Sequence, residues 1–433
     1  VFDVAAHVLV RIELRLLRQV ADLDAGLRTR LAVDLCIKAG HDAEQRRLSG
    51  TVQAQDADLC AGKEAQGDVA QYVPFWRHHF GDSIHCVDVL GHGVCGIARR
   101  YQGSRIIRYA APQANIGAAH MNNKVLVYRG EAIAAYGFGD PHPFGTDRHD
   151  AFHAELEEAG LGDAIAYGHP RQALADELAL FHTADYIDKV SRMSAIGRGW
   201  LDDGDTPAVP GIYDSASAVV GAMLCAVDEL MHDNYSRAFV PIAGLHHATR
   251  GSAAGFCVFN DCGIAIEYLR KRYDVQRIAY VDIDAHHGDG VFYGFEDDPD
   301  ALFADIHEDG RFLYPGTGAA DETGTGAARG TKLNVPLAPG ADDAEFALVW
   351  QRVEEYLEAG EPQFIIMQCG ADSLEGDPIT HLSLSEESHA AAAASLCRIA
   401  DKYCGGRIVG TGGGGYTRRN LARAWTRVVQ AFA

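Results

Sequence analysis

Residues 281–290 read VDIDAHHGDG, so that an apolar run beginning at Ile278 breaks into Asp282, Asp284, His286, His287 and Asp289 within eight positions. In an extended chain alternate side chains share a face, and a carboxylate and an imidazole two residues apart can converge on one cation. Asp284 and His286 are therefore candidate ligands with Asp282 on the same side, while Asp282, His287 and Asp289 are left to orient neighbours. The bland alternative is a solvated strand end, but uncompensated Asp beside a buried apolar strand is costly. An enzymatic zinc site wants three protein ligands and one open position. A second strand end, QFIIMQCGADSLEGDP at 363–378, offers the third in Asp372. Alone, that residue reads equally well as a helix N-cap; beside the first motif it reads as a ligand.

Three further strand ends carry unusual residues. The strand around Phe239 to Ile242 ends in Leu245-His246-His247-Ala248 and continues through Gly251, Gly255 and Phe256 to Val258-Phe259-Asn260-Asp261. Tandem histidines are often incidental; these follow a strand and precede a glycine-rich segment where backbone can approach a ligand closely. Ala301 to Ile306 ends in His307-Glu308-Asp309-Gly310-Arg311-Phe312, and Ile408-Val409 ends in TGGGGYT, with Tyr416 its only bulky member.

Helical stretches at 213–232, 260–273, 342–359, 384–404 and 418–432 separate these strands. Strand and helix in alternation predict an α/β fold with a mostly parallel central sheet and helices on both faces. In such sheets ligands bind beyond the carboxyl ends of the strands, where the polar residues cluster here.

The combination of LHHA, GFCVFND, DIDAHHGDG, HEDGRFLYPGTG, GADS with GDP, and GGGGY resembles the arginase-like deacetylase superfamily: histone deacetylases, acetylpolyamine amidohydrolases and bacterial acetoin utilization proteins, the bacterial branch most of all. The resemblance runs from about Met121 to Ala433 and implies the three-layer arginase/deacetylase fold. It implies that Asp284, His286 and Asp372 bind the catalytic metal, usually Zn²⁺, and that His246 and His247 are the paired general base and acid, with Asp282 and Asp289 on their far ring nitrogens. Tyr416 would donate its hydroxyl to the substrate carbonyl. Gly255, Phe256 and Phe312 would wall a narrow tunnel, with Gly414 and Ile379 also beside the substrate. Asp205, in GDTP, matches the rim aspartate that holds substrate backbone amides. A structural K⁺ near the backbone carbonyls of Asp282, Asp284, His286 and Asp305 is implied by the family alone. The expected activity is metal-dependent removal of acetyl groups from acetyl-lysine side chains, with an acetylpolyamine or other small N-acyl amine as the alternative substrate. An Asp, His, Asp set is harder than three histidines and suits Fe²⁺ as well as Zn²⁺.

Other features take plainer readings. Gly410, Gly412 and Gly415 match GxGxxG between strand and helix, but the acidic residue expected about 20 positions on would fall beyond Ala433. His182 sits on a helical apolar pattern as a core or capping residue, and His381 and His389 read as solvated.

The 433 residues carry a net charge of −22. Residues 1–120 hold 14 Lys and Arg against 13 Asp and Glu, leaving 24 against 47, or −23, from 121 onward. Such acidity disfavours nucleic acid and anionic membrane and favours cationic substrates such as lysine-bearing proteins or polyamines. Residues 1–120 lack strand–helix alternation, and all 5 methionines fall at or after 121. We therefore expect a catalytic domain at 121–433 starting at or near Met121, preceded by a poorly ordered, non-native stretch; the alternative is a real extension with a helix around Ile12 to Leu31. No apolar run of membrane-spanning length occurs, and the 10 cysteines include no CxxC pair, which suits a cytoplasmic protein with reduced, buried thiols. Oligomeric state is left open.

Two other functions compete with this one. A ureohydrolase of the arginase type would need several close aspartates where this chain has Asp372 among small residues. A non-catalytic acyl-binding protein would be expected to lack a ligand, a histidine or Tyr416. Ile379, seven residues after Asp372, is apolar and leans toward acyl-lysine over acylpolyamine.

Overall fold

Ile278–Asp282, Phe364–Gln368 and Ile408–Thr411 are buried at every position, the pattern of strands covered on both faces. In the computed structural model, which describes residues 122–433, they lie in one sheet of eight strands. The expectations for residues 1–120 and for a start at Met121 fall outside the described residues. The strands are β1 Val125–Tyr128, β2 Ile165–Gly168, β3 Arg237–Val240, β4 Ile278–Asp282, β5 Ala301–Glu308, β6 Lys332–Leu337, β7 Phe364–Gln368 and β8 Ile408–Thr411. Their order is β2-β1-β3-β8-β7-β4-β5-β6, and every pairing is parallel.

Side chains alternate between two cores. Ile278, Tyr280, Phe364 and Ile366 enter one with helices Ile212–Met231 and Asp261–Tyr273. Ala279, Val281, Ile365 and Met367 enter the other with helices Arg148–Glu158, Asp343–Gly360, Glu386–Tyr403 and Arg418–Phe432. The result is the three-layer α/β fold. Each fully buried Leu, Ile or Phe contributes roughly 1.5–3 kcal/mol relative to exposure.

The expected helices occur: 418–432 as expected, 213–232 one residue earlier, and the other three starting one or two residues later, because Asn260, Asp342 and Ser385 are N-caps whose side chains accept the first free N–H groups. Strand–helix alternation fails once: between β5 and β6 the only regular element is the short 3₁₀ turn Gly326–Ala328. β6 itself is hard to see in TKLNVPL because Pro336 and Lys332 interrupt it. It survives as an edge strand, where a residue without an N–H is tolerated.

One cross-strand row prepares the site. Val240, Thr411, Gln368, Asp282, Asp305 and Asn334 are successive partners from β3 to β6. All but Val240 are polar, and all are buried. Apolar sheet gives way to hydrogen-bonding groups along this line, and beyond it lie the loops that carry the chemistry.

Candidate metal centre and acid–base pair

β4 ends at Asp282, so strand alternation is not what brings Asp284 and His286 together, contrary to the sequence expectation. Two successive side-chain turns do it. Asp282 Oδ1 accepts the Asp284 N–H at 3.0 Å, and Asp284 Oδ1 accepts the His286 N–H at 2.9 Å. From the loop after β7, Asp372 joins them, its Oδ1 held by the Ala285 N–H at 2.9 Å. His286 Nδ1 lies 3.1 Å from both Asp284 Oδ1 and Asp372 Oδ2, and one donor atom from each residue falls within 4.8 Å of the others. Asp284 Oδ2 takes the Gly414 N–H at 2.8 Å and Gln368 Nε2 at 2.9 Å.

These donors fit a divalent cation. Two fully buried carboxylates press on one ring nitrogen, which can give a proton to only one of them. Burial and the Asp284 charge push the Asp372 carboxyl up to about 7. Against the cost of burial, Asp372 and Asp284 lift His286 to about 10. A 2+ ion would let all three groups shed their protons and point lone pairs at one centre.

Beside this set stands the histidine pair. His246 Nδ1 meets Asp282 Oδ2 at 2.7 Å, His247 Nδ1 meets Asp289 Oδ1 at 2.6 Å, and the two Nε2 atoms face each other at 3.1 Å. A carboxylate behind each imidazole fixes its tautomer and aim. The environments push the rings apart in basicity. Burial opposes the charged form of His246, yet Asp282 and Asp284 raise it to about 10; burial and the neighbouring His246 charge lower His247. Asp261 positions the loop by accepting the N–H groups of Gly244 and Leu245 at 2.9 and 2.8 Å. Asn260 Nδ2 donates to the carbonyls of His246 and Ala248. Gly255 sits at φ +52°, and a Cβ there would lie 2.4 Å from the His247 ring.

Tyr416 closes the cleft that His246, His247, Asp284, His286 and Gly255 line. Burial and the charges of Asp372 and Asp284 hold its phenol well above the usual range, so it stays a donor. The fully buried Arg148 supports the preceding turn, donating Nε to the Gly415 carbonyl at 3.0 Å and Nη2 to that of Gly413 at 2.5 Å. Phe256 meets the Tyr416 ring edge-on at 5.9 Å, and Tyr314 lies 5.2 Å from His247.

The remaining sequence candidates have varied surroundings. Phe312 is 58% exposed, with the Arg311 guanidinium 5.6 Å from its ring; Tyr314, two residues on, is the ring that turns in toward the histidines. Gly414 lines the cleft and also backs onto the ligands, since a Cβ there would sit 2.1 Å from Asp372 Oδ2. Asp205 accepts the Thr206 hydroxyl at 3.0 Å, and Thr206 Oγ1 in turn accepts the Phe256 N–H at 3.1 Å. Ile379 is at the surface, its N–H on Asp377 Oδ1. His389, expected in solvent, is buried with Nε2 on the Gly370 carbonyl at 2.9 Å, because its alanine-rich helix packs closely on that loop. His182 is a buried structural residue accepting the Asn260 N–H. Gln368, Asp261, Asn260, Arg148 and Tyr314 had no role assigned from sequence; for Gln368 the signal was available, as the one polar residue ending the FIIMQ strand.

A profile of the histone deacetylase domain matches residues 142–432. The acetoin utilization protein AcuC of Bacillus subtilis (strain 168) is 37% identical over 318 residues, covering 71% of this chain and 81% of its own. AcuC of Staphylococcus aureus (strain MSSA476) is 33% identical over the same shares. Among solved structures, the HD domain of HDA15 aligns with a TM-score of 0.67 at 26% identity, over 72% of this chain and 90% of that one. Strand-end motifs, sheet order and relatives agree, and the chain belongs to the histone deacetylase family.

Proposed function

We propose that the protein is a metal-dependent deacylase that hydrolyses the amide of acetyl-lysine side chains, with Asp284, His286 and Asp372 holding Zn²⁺ or Fe²⁺. The supporting observation is the placement of this buried ligand set beside two imidazoles, each backed by its own carboxylate at 2.7 and 2.6 Å. When bound, the cation supplies Lewis acidity to a water and to the amide carbonyl. His247, kept neutral by burial, takes the proton of the attacking water through Nε2 and returns it to the leaving amine. His246, charged on Asp282, stabilises negative charge across the cleft. Tyr416 donates its O–H to the substrate oxyanion, a contact worth roughly 3 kcal/mol. Acetate and a free amine leave.

Phe256, Gly255 and Tyr314 form walls suited to an alkyl chain, Asp205 stands as the rim contact for substrate amides, and the apolar Ile379 favours acyl-lysine over acylpolyamine. The charge of −23 beyond residue 120 favours a cationic protein or peptide over nucleic acid. A structural K⁺ belongs to the proposal on family resemblance alone. No helix among the described residues is long and apolar enough to cross a membrane; the described cysteines are unpaired, and we place the enzyme in the cytoplasm.

The test is hydrolysis, by the purified metal-loaded protein, of a fluorogenic acetyl-lysine peptide beside N-acetylputrescine, with His247→Ala as control. Peptide turnover that vanishes in the variant is expected. Turnover of the polyamine alone would move the substrate to the small-amine class, and no turnover of either by a folded, metal-bound protein would leave a non-catalytic acyl-binding role.

A further inference from the structure

Asp377 is a buried carboxylate that the reaction above does not use. It is 8% exposed and lies in the loop after β7, five residues beyond Asp372. Each of its oxygens accepts a main-chain N–H: Oδ1 from Ile379 at 3.1 Å and Oδ2 from Tyr416 at 2.8 Å.

The second bond is the informative one. Tyr416 follows four glycines, Gly412 to Gly415, with Gly413 and Gly415 at φ +77° and +118°. Such a run does little by itself to hold the next side chain in place. The Gly415–Tyr416 peptide is held from outside instead, its carbonyl by Arg148 Nε at 3.0 Å and its N–H by Asp377 at 2.8 Å. One peptide plane is thus fixed between a buried guanidinium and a buried carboxylate. The loop bearing Asp377 is itself closed by the Thr380 hydroxyl, which donates to the Asp372 carbonyl. More exposed bonds continue the seam, Thr417 Oγ1 to the Gly376 carbonyl at 3.2 Å and Asn420 Nδ2 to that of Glu375 at 3.0 Å.

We propose that Asp377 is a positioning residue, which fixes the Gly415–Tyr416 peptide so that the phenol points into the cleft, and ties that peptide to the loop carrying Asp372. The idea rests on the reading of Tyr416 as the oxyanion donor. A carboxylate that merely stabilised the loop would be indifferent to whether residue 416 had a hydroxyl, and this separates the two roles.

The experiment uses the full zinc-loaded chain and an acetyl-lysine peptide, with Asp377→Asn, Tyr416→Phe and the double variant. Asn keeps the size of the side chain but turns an NH₂ donor toward one of the two N–H groups. Asp377→Asn is expected to lower kcat about tenfold, with KM and zinc stoichiometry little changed. Tyr416→Phe should lower kcat about 100-fold. The double variant should be no slower than Tyr416→Phe, because Asp377 acts through the missing hydroxyl. Hydrogen exchange gives a readout independent of turnover: the Tyr416 amide should be slow in the unmodified protein and about tenfold faster in Asp377→Asn, with β7 amides unchanged. Losses that multiply in the double variant, zinc lost along with kcat, or fast exchange at Tyr416 in the unmodified folded protein would each overturn the proposal. The last needs no variant to fold. Full activity in Tyr416→Phe would instead sink the donor reading, and with it the claim that Asp377 serves catalysis, whatever exchange shows.

Discussion

The carboxyl ends of β4 and β8 flank β7 and are held in place in opposite ways. The β4 end holds itself: Asp282 and Asp284 each cap the backbone two residues on, so the residues that do the chemistry also build the turn. The β8 end has no side chain to hold it until Tyr416. Its glycines are pinned by Arg148 from the helix Arg148–Glu158, by Asp377 and by the Ala371 N–H, which meets the Gly414 carbonyl at 3.0 Å. The difference teaches where substitutions act. At the β4 end a change removes a functional group directly, while at the β8 end it acts by displacing someone else's.

Replacing His286 by Ala takes a ligand from the self-held end. Metal content should fall from one per chain toward zero, with kcat/KM down by roughly 10³-fold or more, read by elemental analysis and peptide turnover. Retention of a full metal complement would break the ligand assignment. Gly414→Ala tests the borrowed end. Its Cβ would collide with Asp372 Oδ2 and come within 2.8 Å of Asp284 Oδ2, so zinc affinity should drop by about 10–100-fold although no ligand is lost. Competition titration with a chelating dye would show this, and unchanged affinity would mean that the glycine run has slack the geometry does not suggest.

Asp289 bears on the histidine pair that both ends face. His247 must be neutral to accept a proton, and its pKa is lowered below 6.5. Activity should therefore hold down to pH 6.5 and fall only below it, as the ring becomes charged. Asp289 favours the charged ring, so Asp289→Asn should shift this acid limb to still lower pH while reducing kcat about tenfold. A limb that stayed in place would mean that a group other than His247 titrates in it. The smallest effects belong to the wall. Tyr314→Ala should raise KM about tenfold and Phe312→Ala by less than about twofold, since both rings are partly exposed but Tyr314 packs edge-on against His247 while Phe312 has only the Arg311 guanidinium beside it.

Chemistry decides which parts of this molecule are legible in its sequence. Strand ends were legible because apolar runs breaking into Asp, His or Gly are rare and locally encoded. The partnering of those ends was not, because Gln368, Asp261 and Arg148 act through pairings with residues 124, 16 and 267 positions away. Loops have no period of 2 or 3.6, so nothing in GRFLYPGTG says which ring turns inward, and the structure chooses Tyr314 over Phe312. β2 was missed because its residues are half exposed at one sheet edge, and β6 because Pro336 and Lys332 break the apolar run at the other. His389 was misjudged because a run of alanines beside it gives no sign of which face packs.

The strand order also has a consequence for biosynthesis. β8 is made after all the other strands, yet it belongs in the middle of the sheet, between β3 and β7. A nascent chain that has delivered its first seven strands still lacks the piece that joins the His246–His247 half to the Asp284, His286 and Asp372 half. Until residues 408–411 emerge from the ribosome, two apolar strand edges stand open to other chains. The two halves of the site therefore come together only once β8 has paired with β3 and β7, and the interval before it does is when chaperone protection matters most.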